Sequence, residues 1–253
     1  MLIDTHAHIE EKYYGKIEQI IRNANANDVS IIINNGTDMQ SNQEVVKNLS
    51  HNMYGAIGIH PENVETYQKE DIDYIIKNIH NPKIVAIGEI GLDYHYGKEN
   101  RLAQIKLFET QLAIAENYNI PVIIHSRDAT EDTINTLKNF HLKGVIHSFS
   151  GSIETAKTYL NMGFVLGVNG VITFKNCQLK EVYKNLTLND FVLETDSPYL
   201  TPHPYRGTQN EPKYIKDISE FMAELYGTSW QNIAENTNQN ALRIFDKLTI
   251  PMV

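Results

Sequence analysis

The segment IDTHAHIE, residues 3 to 10, carries two imidazoles separated by one small residue directly after an apolar run. In extended backbone alternate side chains share a face, so His6 and His8 can converge on one point, and Asp4 has the same parity. That spacing suits a metal ion at a strand end, and it equally suits a pair of surface or capping groups. Five of the ten histidines lie at or just past the carboxyl end of an apolar run: His6, His8, His60, His125 and His147. Glu89 and Asp196 stand in the same relation to two further runs. Each residue alone is explained as well by a hydrogen bond to a loop. Four imidazoles and two carboxylates on one rim are also the ligand set of a pair of borderline divalent ions such as Zn or Mn, with positions left for water and substrate.

The other five histidines fall in predicted helices, turns or loops. His51, His80 and His141 read as solvated, whereas His95 and His203 follow or precede motifs near the rim and have structural roles as their simplest explanation. The single cysteine, Cys177, excludes an internal disulfide and a cysteine-built zinc site, so any metal must be held by His and carboxylate.

These residues share a rim only if the chain folds in a particular way. Short, β-branched apolar runs cover Leu2–Thr5, Ser30–Asn34, Tyr54–Ile59, Ile84–Ile87, Pro121–Ile124, Gly144–Ile146, Phe164–Gly167 and Phe191–Glu194, and each has the character of a buried strand. Between them, segments such as KIEQIIRNANAND and RLAQIKLFETQLAIAENYN place apolar residues at three- and four-residue spacing, as helices do. Eight alternations imply parallel strands joined by right-handed crossovers, and at this length the economical closure is an α/β fold of the (β/α)8 TIM barrel type. An open doubly wound sheet is the runner-up. The carboxyl ends of barrel strands form one face, where active sites of this architecture sit. No linker divides the chain, so residues 1–253 read as a single domain, with closing helices at about 229–248 that begin at a Ser cap.

The 253 residues carry a net charge of −9, which argues against a long electrostatic groove for duplex nucleic acid. It leaves room for one phosphodiester at a metal site, because bound cations invert the local sign. The apolar runs are shorter than a membrane span and no signal peptide is evident, so the expected location is cytoplasmic with no membrane contact. No obligate protein partner is evident either.

The ordered motifs IDTHAH (3–8), AIGIHPE (56–62), AIGEIGLDYH (86–95), PVIIHSRDA (121–129), GVIHSFSGS (144–152), VLETDSPYLTP (192–202) and RGTQNEP (206–212) resemble those of the TatD-type metal-dependent deoxyribonucleases of the amidohydrolase-like barrels. The resemblance covers nearly the whole chain. It implies two divalent ions, Mg, Mn or Zn. His6, His8 and Asp196 match the ligands of the first, His125 and His147 those of the second, and Glu89 the carboxylate shared by both. Asp4 is no ligand in the family and reads as a structural group, and Asp93 as one that orients a ligand or a loop. The ions would hold a nonbridging oxygen and acidify a bound water, with Glu89 and Asp196 as the catalytic carboxylates.

His60, Arg127 and Arg206 are candidate phosphate contacts. Alternatively, the two arginines pair with carboxylates such as Asp128 or Glu211. Two departures from the family pattern lower the positive character: Glu62 stands where relatives often have His, and Thr208 and Gln209 where they often carry basic residues. The resemblance implies a 3′-to-5′ deoxyribonuclease, and the lowered positive character turns that expectation toward single strands, short DNA or ends. Hydrolysis of a D-aminoacyl-tRNA ester or of a small amide or lactone is the alternative.

Overall fold

The computed structural model describes residues 1–249. Eight parallel strands form one sheet in sequence order: β1 (Leu2–Ala7), β2 (Val29–Asn35), β3 (Met53–Ile57), β4 (Ile84–Asp93), β5 (Val122–Arg127), β6 (Gly144–Ile146), β7 (Phe164–Val168) and β8 (Phe191–Leu193). The ring closes where β8 runs into β1. The Asp196 amide donates to the His6 carbonyl at 2.9 Å, the His8 amide donates to the Ser197 carbonyl at 2.7 Å, and Thr5 Oγ1 donates to the Leu193 carbonyl. The fold is therefore the single-domain TIM barrel that the alternation of runs predicts, and the open sheet is excluded.

Two apolar layers hold it. One lies between the strands and the outer helices, for example Ile57, Ile87, Phe108 and Leu112. The other fills the barrel interior with Ile31, Ile33, Ile123, Val145 and Val192, and it is plugged at the amino-terminal end by Ala241, Ile244, Phe245 and Leu248. The closing segment supplies that plug. Its helix Trp230–Ile244 starts at Ser229, whose hydroxyl accepts from the Asn232 amide as an N-cap, and residues to Leu248 continue the packing without helical structure. With the bottom sealed by apolar side chains, polar residues collect at the opposite mouth.

The strands differ from their predicted extents in ways that matter to the site. β4 runs six residues beyond Ile87, through Gly88 and Gly91, and β5 continues through His125 to Arg127. Glu89 and His125 thus lie inside strands rather than after them. Glycine in this stretch permits close approach of two backbones. Gly91 has φ 147°, and a Cβ there would stand 1.9 Å from the His125 carbonyl oxygen. Gly91→Ala is expected to lower the unfolding free energy by about 2–4 kcal/mol, combining backbone overlap with an unfavourable φ. Urea denaturation checks this, and an unchanged midpoint would show that β4 can back away from β5 at no cost. No helix among the described residues is long and apolar enough to cross a membrane.

Candidate metal centre

The barrel mouth gathers the predicted residues around one carboxylate. Glu89 sits at an irregularity in β4, where the register against β5 slips between Ile87 and Ile90, and this turns its side chain into the mouth. Its Oε2 lies 3.3 Å from His6 Nε2 and 3.5 Å from His8 Nε2. Asp196, at a left-handed φ of 55° that Asp tolerates better than most residues, brings Oδ1 to 3.7 Å from His6 Nε2 and 3.5 Å from His8 Nε2. The two Nε2 atoms are themselves 3.1 Å apart. Donors around a tetrahedral ion with bonds of about 2.0–2.1 Å stand roughly 3.3 Å from one another, so His6, His8 and Glu89 fit one ion, and Asp196 Oδ1 stands at a similar range from both imidazoles.

The tautomers agree with that role. His8 Nδ1 is 2.9 Å from the Asn35 carbonyl, which fixes its proton there and leaves Nε2 free to ligate. His147 stacks on His6 with ring centroids 3.6 Å apart, and its Nε2 lies 3.6 Å from Asp196 Oδ1 and 3.9 Å from Glu89 Oε1. His6 Nδ1 is buried without a hydrogen-bond partner.

On the far side of Glu89, His125 Nδ1 lies 2.8 Å from Oε1. Its Nε2 is 2.9 Å from Asp93 Oδ2, so Asp93 does orient a rim imidazole. His60 packs edge-on against His125 at 4.4 Å and points Nε2 at Glu89 Oε1, 3.7 Å away. The Glu62 amide donates to His60 Nδ1, and in the neutral ring this puts the proton on Nε2. Ligand-competent groups form as His6–His8–Glu89, His6–His147–Asp196 and His60–Asp93–His125. The structure therefore sets His147 beside the first-site residues and His125 beside His60, dividing the pair that the resemblance assigns to a second ion.

The charges around Glu89 shift one another strongly. Burial acts to raise its pKa, but the surrounding imidazoles, His147 and His6 foremost, hold it well below the usual carboxylate range. Burial opposes protonation of His125, yet Asp93 and Glu89 push it up to about 9. His147 rises to about 10 despite burial, because Glu194, Asp196 and Glu89 face it. His60 moves the other way, to about 3, through burial and its neighbour His125. Asp4 is fully buried, and burial raises it to about 8, although Thr195 donates to both of its oxygens. It ties β1 to the turn after β8, the structural role expected of it.

Glu194 is the residue that sequence reasoning passed over. It has 0% exposure, and its Oε1 lies 2.9 Å from His147 Nδ1 and accepts from the Ser148 amide. Gly167 makes room for it, since a Cβ there would come within 2.3 Å of Glu194 Oε2. The signal was present in LETD, where Glu194 shares parity with Asp196 at a strand end. Glu194→Gln is expected to weaken metal binding about 10- to 100-fold, as loss of an outer partner of a ligating His does. Metal titration of the variant checks this, and wild-type affinity would show that His147 needs no such partner.

A cleft of about 630 Å³ opens above Glu89. Arg127 lines it, with its guanidinium 5.9 Å from the Tyr96 ring. Arg206 does not line it. It is exposed and lies 3.8 Å over the Phe174 ring. Neither arginine takes the carboxylate considered for it, because Asp128 meets His95 at 3.3 Å and Glu211 meets Lys213 at 2.8 Å. His51, His80 and His141 are exposed, as expected, and so are His95 and His203.

Comparison with known proteins agrees with this geometry. A family model described as TatD related DNase matches residues 3–246. The chain is 40% identical over 252 residues to the metal-dependent hydrolase YabD of Bacillus subtilis, covering 97% of this chain and 99% of that one. It is 30% identical to the metal-dependent hydrolase MJ1582 of Methanocaldococcus jannaschii, with 97% of each covered. Among solved structures, the TatD homologue YJJV of Escherichia coli K12 superposes with a TM-score of 0.91 at 28% identity, over 99% of this chain and 98% of that one. Because the match runs from the first strand past the end of the last helix and takes in every rim imidazole and carboxylate, the chain belongs to the TatD-related family and is a metal-dependent hydrolase.

Proposed function

We propose that this hydrolase cleaves DNA phosphodiester bonds, working 3′ to 5′ from the ends of single or short strands. The observation that carries the reading is the composition of the cleft: imidazole donors converge on Glu89 and Asp196, while Arg127 is the one permanent cation in a lining that holds six carboxylates. A single phosphodiester can be held at the centre, but a long backbone finds few partners for its other phosphates.

Divalent ions, when bound by this donor set, would polarise a phosphoryl oxygen and acidify an attacking water. His6, His8 and Asp196 are the residues that would hold one ion; the resemblance assigns His125 and His147 to a second, whereas here His147 stands with the first-site residues and His125 with His60, and Glu89 lies within 4 Å of both imidazoles. The Asp196 carboxylate, turned toward the cleft, takes the proton of the water. His60 Nε2–H and the planar fork of Arg127 donate to phosphate oxygens. Arg206, outside the cleft, is left for more distant stretches of a strand.

The test compares Mg- or Mn-restored protein on an end-labelled single-stranded oligonucleotide and on covalently closed circular duplex. Selective loss of the labelled end supports the reading, and equal rates on both would count against an end-acting enzyme. The acidic lining also suits a compact ester, amide or lactone, so a D-aminoacyl-tRNA ester and a small lactone belong in the same assay. Turnover of one of these without nuclease activity would favour the alternative.

A further inference from the structure

Two tyrosines stand at the cleft with their rings in solvent. Tyr96 is 80% exposed and Tyr199 49% exposed, among only five large hydrophobic residues so exposed among the described residues, and both line the cleft above Glu89. Tyr96 follows β4 and Tyr199 follows β8. Four positions apart in an eight-stranded ring, they lie on opposite sides of the mouth. Each ring has neighbours. Tyr199 stacks edge-on near His8 at 6.2 Å and against Tyr13 at 5.9 Å, and its hydroxyl meets that of Tyr13 at 2.6 Å. Tyr96 lies edge-on to His95 at 4.9 Å and beside the Arg127 guanidinium.

Exposed aromatic rings on both walls of a polar cleft leave apolar faces wet at a place where substrate must enter. With one permanent cation in the lining, phosphate contacts alone supply little binding. Flat π-surfaces offer the missing contribution to a substrate that itself has flat rings, and base–aromatic stacking tolerates any sequence. Resting on the nuclease reading above, we infer that Tyr96 and Tyr199 are nucleobase platforms flanking the scissile bond, one stacking the base of the departing nucleotide and the other the base on its far side. Stacking of this kind requires bases free of their partners, so the platforms select frayed or single-stranded ends over paired duplex.

The experiment uses two single strands of equal length, one bearing bases throughout and one built of abasic sugar-phosphate units. The metal-restored wild type is expected to prefer the base-bearing strand by about tenfold or more in kcat/KM. Tyr199→Ala and Tyr96→Ala should each shrink that preference by several-fold, through KM, and independently of one another because the rings are on opposite walls. Tyr199→Phe and Tyr96→Phe should retain it, since the ring and not the hydroxyl does the stacking. Fluorescence anisotropy of the labelled base-bearing strand gives a second readout, with binding weakened by the Ala and kept by the Phe variants. Equal cleavage of both strands by the wild type, or Ala variants that keep the full preference, overturns the inference while leaving the nuclease reading intact. Cleavage of neither strand overturns the nuclease reading itself, and this inference with it.

Discussion

Glu89→Gln is expected to lower hydrolysis by on the order of a thousandfold or more, in a protein that still folds. The size of the effect follows from where the carboxylate stands. Five imidazoles, those of His6, His8, His60, His125 and His147, have a ring nitrogen within 4 Å of one of its oxygens. Its side chain is only 5% exposed, so water cannot replace the lost charge. Gln preserves the volume but offers one oxygen in place of two, and it removes the negative charge that lets cationic ions and rings share the space. Metal content should fall together with rate. Circular dichroism separates this from unfolding, and near-normal turnover by the variant would remove Glu89 from the centre of the chemistry.

Chelation should abolish activity altogether, and reloading the stripped protein should depend steeply on pH. The sign follows from the raised imidazoles. Without metal, His125 near 9 and His147 near 10 keep their protons at pH 7, and His8, against its burial, is raised too by Asp196 and Glu89, whereas burial lowers His6 and takes His60 to about 3. A ligating nitrogen must be unprotonated, so each ion that uses His125 or His147 has to displace a proton. Apparent metal affinity should therefore rise with pH by about tenfold per unit for each displaced proton, up to roughly pH 9, and level off above the higher pKa. The same shifts act on the stability of the metal-free fold. A His pKa raised above its unfolded value stabilises the folded state at low pH, and that contribution is lost as pH climbs through 9 and 10. Calorimetric titration at pH 7 in two buffers of different ionisation enthalpy would show the released protons, and a pH-independent affinity would contradict protonated His125 and His147.

How much of this was legible in the residues depends on which interactions are local. The eight runs and the helices between them could be read because burial on both faces demands continuous β-branched segments and amphipathic crossovers, and both leave periodic traces. The convergence of His6 and His8 was legible for the same reason, since alternation along a strand is a local rule. Glu89, His125, His147 and Asp196 became readable once their segments were assigned to one rim.

The site's finer arrangement was not written in any one segment. The apolar run stops at Ile87, and only the approach of β5 shows that Gly88 and Gly91 let β4 continue and slip its register so that Glu89 turns inward. Glu194 sits two residues from Asp196, yet its meaning depends on His147, 47 positions away in the chain and a single hydrogen-bond length away in space. Arg127 and Arg206 have equal chemistry, and only tertiary packing aims one at the cleft and lays the other on Phe174. Tyr96 and Tyr199 line the cleft from opposite sides because β4 and β8 are opposite in the closed ring, a relation absent from the linear order. The sequence by itself therefore determined the barrel, its rim and the kinds of donor on it, because these follow from periodicity and residue type. The tertiary structure alone decided which donor meets which, which proton sits where and what lines the way in, because those depend on distances between segments that only ring closure sets.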